Sequence, residues 1–148
     1  MATKSQPVVE SLSKLLADTY TLYLKTHNYH WNVTGPMFNT LHTLFEAQYT
    51  ELATAVDTIA ERIRTLGARA PGSYAEFLSL TGVKEAKGNP GAMAMIKALA
   101  DDQQRVAASA KVVVDASAKA GDDASEDLGI GRIDVHQKNA WMLRSHLE

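Results

Sequence analysis

Cysteine is absent from this 148-residue chain. That excludes a disulfide framework and a thiolate metal site, so any metal must be held by nitrogen and oxygen. Long apolar runs are missing as well: nowhere do eighteen apolar residues follow one another, so no segment reads as a membrane-spanning helix. The start, MATKSQPVVE, has no apolar core behind a basic head, which makes cytoplasmic residence the default expectation. Excess charge is missing too, because a formal net charge of -2 gives no general attraction to nucleic acid or to an anionic membrane. No internal repeat or low-complexity segment breaks the chain. With 45% hydrophobic and 22% charged residues it has the composition of one soluble globular domain, long enough to bury its own core.

What is present concentrates between Asn28 and Gly67, where His30, His42, Glu46, Asp57 and Glu61 stand among apolar residues. From Phe38 to Leu66 the residues Leu41, Leu44, Phe45, Leu52, Ala55, Val56, Ile59, Ile63 and Leu66 recur mostly at three- and four-residue steps, with Gln48 filling one gap. This spacing predicts one long amphipathic helix. At 100° per residue His42, Glu46, Asp57 and Glu61 share an arc of roughly 100° beside the apolar stripe.

Glu46 and Asp57 are then about 16 Å apart along the axis, too far to share an ion bound at about 2 to 2.5 Å. The positions suggest how two chains solve this. His42 and Glu61 lie equally far from a point midway between Glu51 and Leu52, and so do Glu46 and Asp57. A two-fold axis at that point pairs them across an antiparallel dimer and makes two identical sites. Thr50 with Ala53, and Tyr49 with Thr54, obey the same symmetry, and small residues there allow close approach. His30, at the end of the preceding helix, is returned beside His42 by a turn through Gly35 and Pro36. Two imidazoles with three carboxylates suit iron better than magnesium or calcium, and the same donors accept zinc or other divalent ions.

The string HWNVTGPMFNTLH, followed by Phe45-Glu46 and by DTIAER from Asp57 to Arg62, resembles the Dps family of mini-ferritins, the DNA-binding proteins from starved cells. The spacings from His30 to His42, His42 to Asp57 and Asp57 to Glu61 agree with that family's ferroxidase motif, and the likeness extends to the closing AWMLRSHLE. Glu46 stands where many members carry Asp. The resemblance implies an all-α, ferritin-like four-helix bundle with a short helix in the long crossover between its second and third helices. It implies a homododecamer built from two-fold dimers. It also implies ferroxidase activity on Fe(II), with hydrogen peroxide as preferred oxidant, and storage of ferric mineral in a hollow shell that protects DNA from oxidative damage. The site residues it implies are His30, His42 and Glu46 from one chain, and Asp57 and Glu61 from its two-fold partner. The alternative is a nucleoid-binding protein with a secondary metal site. In the family DNA binding commonly relies on basic tails, and here residues 1–6 offer only Lys4 and the chain ends LRSHLE, so direct DNA binding lacks that support.

Taken in order, a first helix runs from Pro7 to about Val33, carrying His27 near its end as an exposed or hydrogen-bonded histidine and Trp31 as core or interface packing. Glu51, Arg62 and Arg64 read as members of solvated or interface salt bridges. The Gly- and Pro-rich stretch 68–90 is too long for a hairpin and suits a crossover to a parallel neighbour, with Tyr74 to Leu80 as its short helix. A third helix spans Gly91 to Lys119, with Met93 and Met95 as core filler and Asp101 and Asp102 on a solvated face. In AGDDASED, Asp123 and Glu126 resemble a capping box. A three-fold axis nearby would gather Asp122, Asp123, Glu126 and Asp127 into an acidic pore, as the family resemblance implies. A last helix from Leu128 to Leu147 turns Ile130, Ile133, Ala140, Leu143 and Leu147 inward. Its Gly129 and Gly131 suggest close approach to another chain, and His136 and His146 read as surface residues.

Overall fold

Apolar side chains at three- and four-residue steps set each long helix in the computed structural model, which describes residues 5–148. The elements are α1 (Gln6–Asn32), α2 (Phe38–Thr65), the short α3 (Tyr74–Leu80), α4 (Ala92–Ala120) and α5 (Asp123–Arg144). The four long helices form an all-α bundle, with α3 in the crossover where the sequence places it. Residues 1–4, including Lys4 of the short tail, lie outside the described residues.

Side-chain bridges fix the directions. Asp18 meets Ser109 and Lys25 meets Asp102, so α1 and α4 are antiparallel. The turn through Gly35, whose φ of 109° suits glycine alone, folds α2 back along α1. Gly121, in the left-handed region, ends α4 and starts its return as α5. Hence α2 and α4 run parallel, and the chain between them must travel the length of the bundle. Buried groups of α1 hold that crossover. Asp18 accepts from the Thr81 hydroxyl at 2.8 Å and the Gly82 N–H at 2.7 Å, and the Lys25 ammonium donates to the Lys84 carbonyl at 2.8 Å. At α3, the Ser73 hydroxyl accepts from the Glu76 N–H and donates to the Glu76 carboxylate, and Phe77 stacks on Tyr20 at 4.9 Å. Arg69, bonded to the Glu76 carboxylate, holds it down at about pKa 2 with help from the Gly72 N–H.

The core is built from Val8, Leu12, Leu15 and Leu22 of α1, Leu41, Phe45, Leu52, Ile59 and Ile63 of α2, and Met95, Ile96, Leu99, Val106 and Val113 of α4. Several expectations change here. Asp102 is buried, not solvated, because Lys25 sits 2.7 Å away in an equally dry place. His136 is also fully buried, bonded between Gln103 and Arg132. Met93, Ile130 and Leu147 are exposed, so only Met95 of the methionine pair fills core and α5 turns inward mainly small or polar residues. Trp31 is 58% exposed and is not part of this chain's core. The cap of α5 is Asp122, whose carboxylate accepts from the Ser125 N–H, not the pair Asp123 and Glu126; this cap draws the acidic run into the first turns and starts the helix five residues earlier than Leu128. Glu51 and Arg62 do form salt bridges, to Arg132 and Asp122 within the same chain.

Gly129 approaches α4 of its own chain: a Cβ there would meet Val114 Cγ2 at 2.9 Å and the Ala110 carbonyl oxygen at 3.1 Å, whereas nothing lies within 4 Å of one at Gly131. Alanine adds about 1 kcal/mol of helix preference at either position, but at Gly129 overpacking costs about 1–3 kcal/mol. Gly131→Ala is expected to raise the urea midpoint and Gly129→Ala to lower it. Equal shifts would show that the α4–α5 contact yields freely.

Candidate metal centre

The hairpin between α1 and α2 brings His30 and His42 into reciprocal contact. Each Nδ1 lies 2.7 Å from the other residue's backbone carbonyl oxygen, and the two rings stack at 3.8 Å with 15° between their planes. A carbonyl only accepts, so each Nδ1 carries a proton, and in the neutral imidazole each Nε2 then keeps its lone pair. The His30 carbonyl belongs to the last turn of α1, where helical geometry leaves it without an amide partner, and the His42 ring supplies one. This is the arrangement in which an imidazole is fixed in tautomer and direction for metal binding. His30 is buried and His42 half-buried.

Around the pair is a shell of rings. Phe38 stacks on His42 at 5.0 Å, and Tyr49 meets His30 edge-on at 5.1 Å. His27 lies between Tyr49 at 4.1 Å and Trp31 at 3.9 Å. It is therefore held by stacking instead of the exposed or hydrogen-bonded setting expected for it, and burial together with the neighbouring His30 lowers its pKa. Tyr49, expected at the dimer crossing, leans toward α1 and packs on Tyr23 as well.

Glu46, Asp57 and Glu61 are all exposed along α2. Among the described residues no three His, Asp or Glu side chains of one chain converge as a metal-binding group. The fold thus brings together His30 and His42, places Glu46 one turn beyond, and leaves Asp57 and Glu61 on the far half of the same helix. Between them Thr50, Ala53 and Thr54 present a small exposed surface, with the Thr54 hydroxyl turned back to its own helix.

The acidic run divides. Asp122 is committed to the Arg62 guanidinium at 2.8 Å and to Ser125; burial alone would raise its pKa, but these bonds bring it below the ordinary value. Asp123 and Asp127 are exposed and Glu126 half-exposed.

A four-helix bundle with a long crossover between parallel helices, carrying histidines and carboxylates on one helical flank, defines the ferritin-like class. The ferritin-like domain family matches residues 9–148 of this chain. The DNA protection during starvation protein 2 of Bacillus anthracis is 37% identical over 143 residues, 97% of this chain and 98% of that protein. Among solved structures, a Dps protein from Bacillus brevis superposes with a TM-score of 0.96 at 36% identity, covering all of both chains. Dps from Staphylococcus aureus gives 0.95 at 37%, covering 99% of each. A Dps protein from Vibrio cholerae, described as a member of a broad superfamily of ferritin-like diiron-carboxylate proteins, gives 0.94 at 32%. The chain belongs to the Dps family of mini-ferritins.

Proposed function

We propose that this protein is a Dps-type ferroxidase and iron store. Fe(II) binds between His30, His42 and Glu46 of one chain and Asp57 and Glu61 of its two-fold partner. The observation that carries this reading is the reciprocal His30–His42 clamp, which leaves two Nε2 lone pairs beside a carboxylate-bearing flank that one chain cannot close. Neutral imidazoles give nitrogen donors with affinity for Fe(II), while the anionic carboxylates favour the ferric product. Zinc, sharing the preference for this nitrogen and oxygen set, is a competing occupant.

The chemistry is two electrons from two Fe(II) to one hydrogen peroxide, with two protons taken up and two waters formed. Peroxide is consumed without releasing hydroxyl radical. The ferric product is retained in a hollow shell, a homododecamer built from two-fold dimers, with Asp123, Glu126 and Asp127 as carboxylates for the iron entrance; Asp122 serves the α5 cap instead. The protection of DNA named in the relatives is met by removing iron and peroxide, with no contact to DNA required. No described helix is long and apolar enough to cross a membrane.

The test is anaerobic Fe(II) titration of the assembled protein followed by hydrogen peroxide, reading ferric absorbance, residual peroxide and a hydroxyl-radical trap. The expected result is saturable Fe(II) binding, one peroxide consumed per two irons, and a silent trap. A protein that neither binds Fe(II) nor consumes peroxide would leave the flank structural and make salt-dependent DNA binding the next assay.

A further inference from the structure

Between α2 and α5 the spanning groups are long and polar: Arg62 reaches Asp122 and Ser125 at one end, and Arg132 reaches Glu51 further along. As residue numbers fall along α2 they rise along α5, so the two helices are antiparallel. One turn back from Glu51 is Gln48, and one turn on from Arg132 is His136. Gln48 and His136 therefore lie level across the seam, with Gln103 of α4 bonded to His136 at 2.6 Å.

Gln48 is only 4% exposed, yet neither its amide nitrogen nor its oxygen has a protein partner. The same holds for Gln103 Nε2 and Arg132 Nε. The His136 tautomer follows from its neighbours. Gln103 Oε1 accepts from Nδ1–H, and Nε2 accepts from the Arg132 guanidinium at 3.2 Å, so Gln103 Nε2 must find another acceptor. Three donors and one acceptor without partners, all away from solvent, would cost more than this fold can leave unmet.

We infer that the α2–α5 seam binds one or two ordered water molecules between Gln48, Gln103 and Arg132. Water is the ligand whose chemistry fits: it accepts from the Gln103 and Arg132 N–H groups and donates to Gln48 Oε1, and such sites hold water when two to four polar partners converge. A metal cation finds both His136 nitrogens engaged and mostly N–H donors facing it. An anion would face Gln48 Oε1, and Arg132 is already neutralised by the doubly bonded Glu51. The bound water completes the hydrogen bonding of Arg132 behind its pair with Glu51.

A crystal structure of the assembled protein at a resolution that shows ordered solvent tests this, with a parallel bromide soak and the same structure of Gln48→Met. The expected result is water density within hydrogen-bond distance of Gln48 and Gln103, no anomalous bromide peak, and loss of that density in the variant. The melting temperature of Gln48→Met should fall by about 3–8 °C, because loss of the water leaves the buried Gln103 and Arg132 N–H groups unpaired. A direct Gln48–Gln103 bond in a dry seam, or a bromide peak beside Arg132 Nε, would overturn it.

Discussion

Co-assembled His42→Ala and Asp57→Ala subunits are expected to regain about a quarter of the wild-type rate of Fe(II) oxidation by peroxide, although each variant alone has lost it. Removing a direct ligand should cost at least the roughly hundredfold at the top of the range for outer-shell partners. The recovery follows from counting. If a site takes His30 and His42 from one chain and Asp57 and Glu61 from its partner, a mixed dimer contains one site with both defects and one with none. Random pairing at equal amounts makes about half the dimers mixed, and half of their sites are intact. A site contained within one chain would regain nothing on mixing. Recovery well above a quarter would indicate preferential pairing of unlike subunits, which native mass spectrometry of tagged chains would show separately.

The geometry makes this test sharper than a single substitution. His42 also supports the hairpin, because its Nδ1–H donates to the last turn of α1. Its removal therefore threatens packing as well as metal binding. Asp57 is exposed on α2 and has no such duty in the chain. Rescue by mixing requires that both variants fold and assemble, so a quarter-rate cannot arise from damaged subunits.

The part of this structure legible in the sequence is the part governed by spacing. The stripe from Leu41 to Ile63 gives α2, the crossover length gives parallel α2 and α4, and the turn at Gly35 returns His42 beside His30. What stayed hidden depends on partners distant in sequence. Asp102 stands between Leu99 and Val106 at helical spacing, squarely on the buried face of α4, but its charge argues for solvent until Lys25 is known to face it. The choice of Asp122 over Asp123 as the α5 cap is favoured by Arg62, sixty residues earlier in the chain. The reciprocal ring-to-backbone bonds of the histidine pair, and the leaning of Tyr49 onto His27, are likewise matters of how two helices seat against each other. Periodicity says which face is buried. It does not say which polar residues on that face have found each other.

His136 shows how much such a hidden group contributes. Burial, aided by the adjacent Arg132 charge, lowers its pKa from 6.5 to about 3. The sign is then set: the unfolded chain binds a proton at this residue below about pH 6.5 and the folded chain does not until about pH 3. Stability from this group is fully present above pH 6.5 and is lost as the pH falls through the window between the two values. At about 1.4 kcal/mol per pH unit, one proton over that window amounts to as much as about 4–5 kcal/mol, a large share of a domain's stability. Urea unfolding of the wild type at constant protein concentration should therefore weaken steeply from pH 6.5 to pH 4. His136→Gln, which keeps an acceptor for Arg132 and a donor for Gln103 but cannot titrate, should be somewhat less stable at pH 7 and lose less on acidification. Carboxylates such as Asp122, whose pKa is also lowered, contribute to the acid sensitivity of both proteins, so the difference between the two slopes is the quantity that isolates the histidine. Identical slopes would mean that folded His136 takes up its proton near pH 6.5, over the same range as the unfolded chain. Its Nε2 would then lose its role as acceptor from Arg132, and the guanidinium would have to turn wholly to Glu51.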